Sequence, residues 1–235
     1  MKFQYAMGGR LGFVAFSIYT DAMRTLLAGM LAFLSLVQAQ DSLLLKSVEP
    51  RYDKYNEDLA TDFDTATASV TITVLASGKP FALDKSSVPL PMAVVMALKE
   101  YEFRPQGAIP HGRPDTEADT YQVTLNVPIR QSKEPRAPQS AIRVGPGISR
   151  GLLTNQVPPV YSEYIRHNRI QGSIDFVEAM ITQQGYVDPA SLKAGSGPFV
   201  LIEAAYDAVK QWQWRPYLLN NAPVEVRTDI SVRFD

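Results

Sequence analysis

The sequence contains no cysteine, which excludes disulfides, thiolate nucleophiles and thiolate zinc sites and leaves the redox compartment open. Histidine is nearly as scarce. His111 lies in a proline/glycine stretch and His167 in the polar run Arg166-His167-Asn168-Arg169, with no paired spacing for a metal, so both read as surface residues. Neither sign of charge dominates: 23 Lys plus Arg against 24 Asp plus Glu leave a net charge of −1, and no long-range field draws the chain to nucleic acid. The acidic residues Asp53, Glu57, Asp58, Asp62 and Asp64 fit neither a calcium loop nor a carboxylate pair, and read as a solvated lead-in to a strand. Gly145-Pro146-Gly147 and Gly195-Ser196-Gly197 lack the strand-then-helix setting of a phosphate loop, and no Gly-x-Ser-x-Gly elbow occurs. These absences point away from an enzyme, a cofactor, a metal, a small-molecule substrate and a nucleic-acid partner.

Long apolar runs are also missing. The longest, residues 26–37, spans about a dozen positions, against roughly 20 for a membrane-crossing helix. It follows Met23-Arg24 and ends in Val37-Gln38-Ala39, with small side chains where a signal peptidase reads. Extending it back through residues 11–19 would bury Asp21 and Arg24 in the bilayer. Residues 1–39 are therefore expected to be an over-called start, true initiation being at Met23, plus a cleaved signal peptide. Export to the periplasm follows; the alternative is an uncleaved inner-membrane anchor.

What is present is enough apolar content, 46%, for one or two ordinary domains. Proline and glycine cluster at residues 108–119, a loop, and at 132–147, a linker. The linker divides a unit at 41–131 from one at 148–235. In the second, residues 162–169 suit a short helix and 172–181 a half-buried strand. Gln183-Gln184-Gly185 is a turn and Tyr186-Val187 begins a second short strand. Apolar residues from Leu201 to Trp212 fall at helical spacing, with the helix running to Trp214 before Pro216 stops it. That spacing buries Trp212 and leaves Trp214 near the edge. Asn220-Asn221 makes a tight turn, and Val224, Val226, Thr228, Ile230, Val232 and Phe234 keep even parity, as in a strand with one buried face.

The first unit repeats this order. Val70 to Val74 matches the first strand, Ser77-Gly78-Lys79 the turn, and residues 93–101 the helix. Lys99-Glu100-Tyr101-Glu102-Phe103-Arg104-Pro105 lies against Lys210-Gln211-Trp212-Gln213-Trp214-Arg215-Pro216, and Val127-Pro128-Ile129-Arg130 against Ile230-Ser231-Val232-Arg233. The shared Arg-Pro suggests that Arg104 and Arg215 close the helix-to-strand turn. The expected fold class is α+β: two tandem small domains, each an antiparallel sheet of about three strands packed with an amphipathic helix, the first copy degenerate.

The second unit carries an ordered series of short motifs: Pro159-Val160-Tyr161, Ile170-Gln171-Gly172, Gly185, Ser196-Gly197, Ala204-Ala205, Ala208-Val209, Lys210-Gln211-Trp212, Arg215-Pro216, Leu219-Asn220, Pro223-Val224-Glu225-Val226 and Val232-Arg233-Phe234. Together they resemble the TonB C-terminal domain family from about Val157 to Asp235. Ser162 and Gln184 depart from the family pattern, both at loop positions. Energy-transducing members also have a membrane helix with a functional histidine and a long spacer. Residues 24–40 contain no histidine, and the linker at 132–147 is short.

A helix on a small antiparallel sheet leaves the last strand with unpaired backbone donors and acceptors at an edge. An extended peptide can add there, its backbone giving affinity and its side chains giving choice. The family resemblance implies that this peptide is the TonB box of an outer-membrane TonB-dependent transporter, or that another envelope protein binds there. The residues expected to meet it are Val224, Val226, Arg227, Asp229, Ser231 and Arg233. The alternative is an envelope assembly protein that uses the same domains for homodimerisation, without energy transduction. Mass spectrometry of the exported protein is expected to find Gln40 at the N-terminus; an intact, membrane-retained precursor would restore the anchored reading.

Overall fold

The computed structural model describes residues 43–55, 63–106, 119–132 and 141–235. The leader and its cleavage site, His111, Glu57, Asp58, Asp62, nearly all of the loop at 108–119 and the core of the linker at 132–147 lie outside the described residues. No helix among the described residues is long and apolar enough to cross a membrane.

The first half builds β1 (Phe63–Leu75), β2 (Pro80–Ser86), β3 (Leu90–Pro91), α1 (Met92–Lys99) and β4 (Thr120–Ser132). In β1 the alternation of Thr and Ser with Ala68, Val70, Ile72 and Val74 buries the apolar set on one face, as a period of two requires. The second half opens with β5 (Ile142–Arg143), α2 (Pro146–Leu152) and α3 (Glu163–Asn168). Ser162 caps α3 by accepting the Ile165 N–H at 3.3 Å, which satisfies one of the orphan donors of its first turn. Then come β6 (Gly172–Ile181), β7 (Lys193–Ala194), β8 (Gly197–Pro198), α4 (Phe199–Val209) and β9 (Val226–Phe234). The fold is α+β.

Three expectations shift in detail. The helix ends at Val209, not Trp214, because its last turn tightens: Gln211 and Trp212 donate to the carbonyls three residues back. Residues Gln213–Trp214 leave it as a strand paired with Leu153–Asn155, so Trp214 is buried as deeply as Trp212. The second strand lies at β7, and Tyr186 and Val187 make only isolated bridges. Val224 is separated from β9: it closes a hairpin, Tyr217–Leu219 with Ala222–Val224, whose tip Asn220 and Asn221 hold φ of 50° and 63° as a two-residue turn of this hand demands.

The two larger sheets are ordered β3-β7-β6-β9-β5 and β8-β2-β1-β4, beside three two-stranded ones. Each larger sheet contains a short strand from the other half. The segment before α1 supplies β3, which pairs antiparallel with β7; the segment before α4 supplies β8, which pairs antiparallel with β2. The exchange is reciprocal in position: Pro91 and Pro198 each end their crossing strand and lead directly into a helix. One hydrophobic cluster runs through both halves, from Val70 and Val95 to Phe176, Leu201 and Trp212. Tyr55 meets Tyr206 edge-on at 5.6 Å, and Lys99 on α1 pairs with Glu203 on α4. The sequence units 41–131 and 148–235 therefore share a core across the linker.

Hydrogen bonds recur at matching places in the two halves. Leu75 N–H donates to Lys79 O at 2.9 Å and Thr182 N–H to Tyr186 O at 2.8 Å. Phe103 N–H donates to Gly78 O at 2.9 Å and Trp214 N–H to Gly185 O at 2.8 Å. The Tyr52 hydroxyl accepts the Arg130 N–H, and the Tyr161 hydroxyl accepts the Asp235 N–H. Both turn glycines require their lack of a side chain: at φ of +88° and +83°, a Cβ would lie 2.1 Å from Phe103 O and 2.0 Å from Trp214 O. Arg104 and Arg215 close the turn through their backbones, donating to Leu43 O at 2.7 Å and Leu152 O at 2.8 Å. Strand pairing corrects the alignment of the last strands. Val70 faces Leu125 and Phe176 faces Ile230, so Ile129 corresponds to Phe234 and Pro128 to Arg233, two residues beyond the motif match.

A shared core gives a test that uses the placement of both tryptophans in the second half. Phe103, 2% exposed, belongs to the first. Phe103→Ala is expected to cost ~3 to 5 kcal/mol and to lower the unfolding midpoint reported by tryptophan fluorescence as much as that reported by circular dichroism. A tryptophan transition left at its wild-type midpoint would show that the halves unfold independently.

Candidate partner-binding edge

The edge strand β9 is held on its inner side by β6, with Val226 opposite Ile181 and Phe234 opposite Gly172. Its even residues Val226, Thr228, Ile230, Val232 and Phe234 are all buried. Val144 N–H donates to Arg227 O from the outer side at 2.8 Å, which fixes the direction of the backbone. Since N–H and C=O alternate sides along a strand, Arg227, Asp229, Ser231 and Arg233 turn their backbone groups outward.

The six residues expected to bind a partner divide accordingly. Val224 lies in the hairpin, outside the edge, and Val226 is core, 1% exposed. The outer side of Arg227 is already occupied, because β5 pairs with Val226 and Arg227 in parallel register. Asp229, Ser231 and Arg233 form the open row: beyond Arg227 no described strand pairs with the outer side of β9.

Asp229 has a structural duty in this row. Glu178 has φ of 53° and marks a bulge in β6, and its N–H donates to the Asp229 carboxylate at 3.0 Å. A donor that the bulge removes from the ladder thereby keeps a partner. Arg143 adds contacts to Asp229 at 3.5 Å and to Glu178 at 3.9 Å. The hydroxyls of Ser231 and Ser173 meet at 2.9 Å.

Beside the open row runs a groove of about 540 Å³, with Arg150, Trp214, Asp229, Ser231 and Arg233 among its walls. Trp214 lines it with an indole N–H that is buried and has no hydrogen-bond partner among the described residues. Sequence reasoning missed β5, which pairs with β9, and α2, which lines this groove, since residues 142–152 carry glycines and little periodicity.

The matching edge in the first half differs at one telling position. Ala76 N–H donates across to Asp119 O, and by the same alternation Gln122, Thr124, Asn126, Pro128 and Arg130 face outward from β4. Pro128 has no N–H, so this row is broken; its counterpart Arg233 keeps its donor.

Residues 157–235, which include α4 and all of β9, match the family model described as Gram-negative bacterial TonB protein C-terminal. Protein TonB of Vibrio cholerae serotype O1 (strain ATCC 39315 / El Tor Inaba N16961) is 31% identical over 109 residues, 46% of this chain and 44% of that protein. The chain thus spans less than half the length of that relative. No solved structure matches it. Over residues 157–235, with the open edge of β9 inside them, the chain carries a domain of the TonB C-terminal family.

Proposed function

We propose that this chain is a periplasmic binding module made of two interlocked copies of one α+β unit, and that the second copy captures an extended segment of an outer-membrane partner by strand addition to β9. The observation that carries this reading is the unbroken row of outward backbone donors and acceptors at Asp229, Ser231 and Arg233, set beside a groove of peptide dimensions. Each backbone hydrogen bond to an added strand contributes about 0.5 to 1.5 kcal/mol, so a few of them with side-chain contacts suit a moderate, reversible complex.

The partner most consistent with the family is an outer-membrane TonB-dependent transporter presenting its TonB box, and the role is binding rather than catalysis. The proline in the equivalent row of β4 supports capture at a single edge, giving one peptide per chain.

Ser231→Pro removes a donor from the outward row of β9, two residues before the counterpart of Pro128. The Ser231 N–H faces away from β6, so the fold is expected to persist by circular dichroism. Titration of synthetic TonB-box peptides from outer-membrane transporters into wild-type, Ser231→Ala and Ser231→Pro proteins separates the backbone from the hydroxyl. Binding should survive the alanine change and weaken at least about tenfold with proline. A folded proline variant with wild-type affinity would remove β9 as the capturing edge.

A further inference from the structure

We infer that residues 142–152, β5 with α2, form a self-inhibitory strap on the capturing edge, which an incoming strand must lift to occupy β9 along its full length. The inference rests on the capture reading above. The strap lies where a partner strand would lie. Its Ile142 N–H donates to Glu225 O at 3.2 Å and its Val144 N–H to Arg227 O at 2.8 Å, which uses outward acceptors of the same row that continues through Asp229, Ser231 and Arg233. Immediately afterwards α2 packs against β9 and walls the groove. The segment therefore does in cis, over two residues, what strand addition does in trans.

Its hold is slight compared with that of β6 on the other side. Only Val226 and Arg227 are paired with β5, whereas pairing with β6 extends from Val226 to Phe234. Ile142 is 37% exposed, and Val144 and Leu152, which do pack against the core, are only partly buried. The ions that Arg143 shares with Asp229 and Glu178 are all more than two-fifths exposed, in the range where solvent screens most of the attraction. Helix α2 is equally weakly built: it begins at Gly145 without a side-chain cap, includes Gly147 and Gly151 with open space around them, and buries Ser149 alone while Ile148 stands 65% exposed. Over Val226 and Arg227 the strap uses only the Glu225 and Arg227 carbonyls. A partner strand that pairs with Arg227 as well as the open row would recover those backbone contacts and add its own.

The mechanism is competition for one edge. The fraction of molecules with β5 lifted sets the apparent affinity for a strand that needs Arg227, because binding is weakened by the scarcity of the competent form. Weakening the strap should therefore strengthen capture, the opposite of what loss of a contact residue does.

Two measurements on the full exported chain test this. In native-state hydrogen exchange without peptide, the Ile142 and Val144 amides should exchange well before those of Ile230 and Val232; exchange in step with these core amides would make β5 part of the fixed sheet and overturn the strap. In peptide titration, Arg143→Ala and Val144→Pro, the latter deleting the donor to Arg227 O, should bind a TonB-box peptide up to about tenfold more tightly than wild type. Equal or weaker binding by both folded variants overturns the strap while leaving capture at β9 intact. Binding by neither wild type nor variants sinks the capture reading and the strap with it.

Discussion

The reciprocal crossing of two short strands constrains everything else in this molecule. With β3 paired to β7 and β8 paired to β2, each helix begins where its chain has just left the opposite sheet, so neither half completes its sheet without the other. The crossing strands are only two residues long, and their hydrogen bonds alone are a small term. Their effect is to place α1 and α4 side by side over a common cluster, where Val94, Val95, Leu201 and Ile202 are almost wholly removed from water. At roughly 1.5 to 3 kcal/mol for each large apolar side chain fully buried, that shared core outweighs any surface ion pair between the halves.

The same crossing decides which edges remain for a partner. It closes β2 and β7, leaving β4 and β9 as the long strands with unpaired sides among the described residues. A protein with two equivalent open edges has two sites for capture and for unwanted pairing. Here one edge contains Pro128 and the other is partly covered by β5. Both devices act on the outward row of backbone groups, one by deleting a donor and one by occupying acceptors. They differ in reversibility: a proline is permanent, whereas a two-residue strand with exposed side chains can leave.

Much of the fold was legible because it rests on periodicities. The span of β6 and the even parity of β9 came directly from alternation of polar and apolar residues, and the matching glycine turns came from comparing the halves. The interlocking was not legible. Leu90–Pro91 and Gly197–Pro198 are too short to carry a periodic signal, and nothing in their composition names a partner in the opposite half. The end of α4 was misplaced because Lys210 to Trp214 continues a helical apolar pattern while Gly185 O and Asn155 draw Gln213–Trp214 into a strand. For the binding edge, parity identified Asp229, Ser231 and Arg233 as facing away from the core. It could not reveal that Val226 and Arg227 already have β5 beside them, since that contact joins segments more than eighty residues apart.

Amide exchange in the bound state reads, residue by residue, the proposed position of an extended peptide on the outer side of β9. With a saturating TonB-box peptide, the amides of Asp229, Ser231 and Arg233 should slow markedly, since each outward N–H gains an acceptor, while those of Gln122, Thr124 and Asn126 on β4 keep their rates. Protection along β4, or binding that leaves the three β9 amides unchanged, would rule out β9 as the capturing edge.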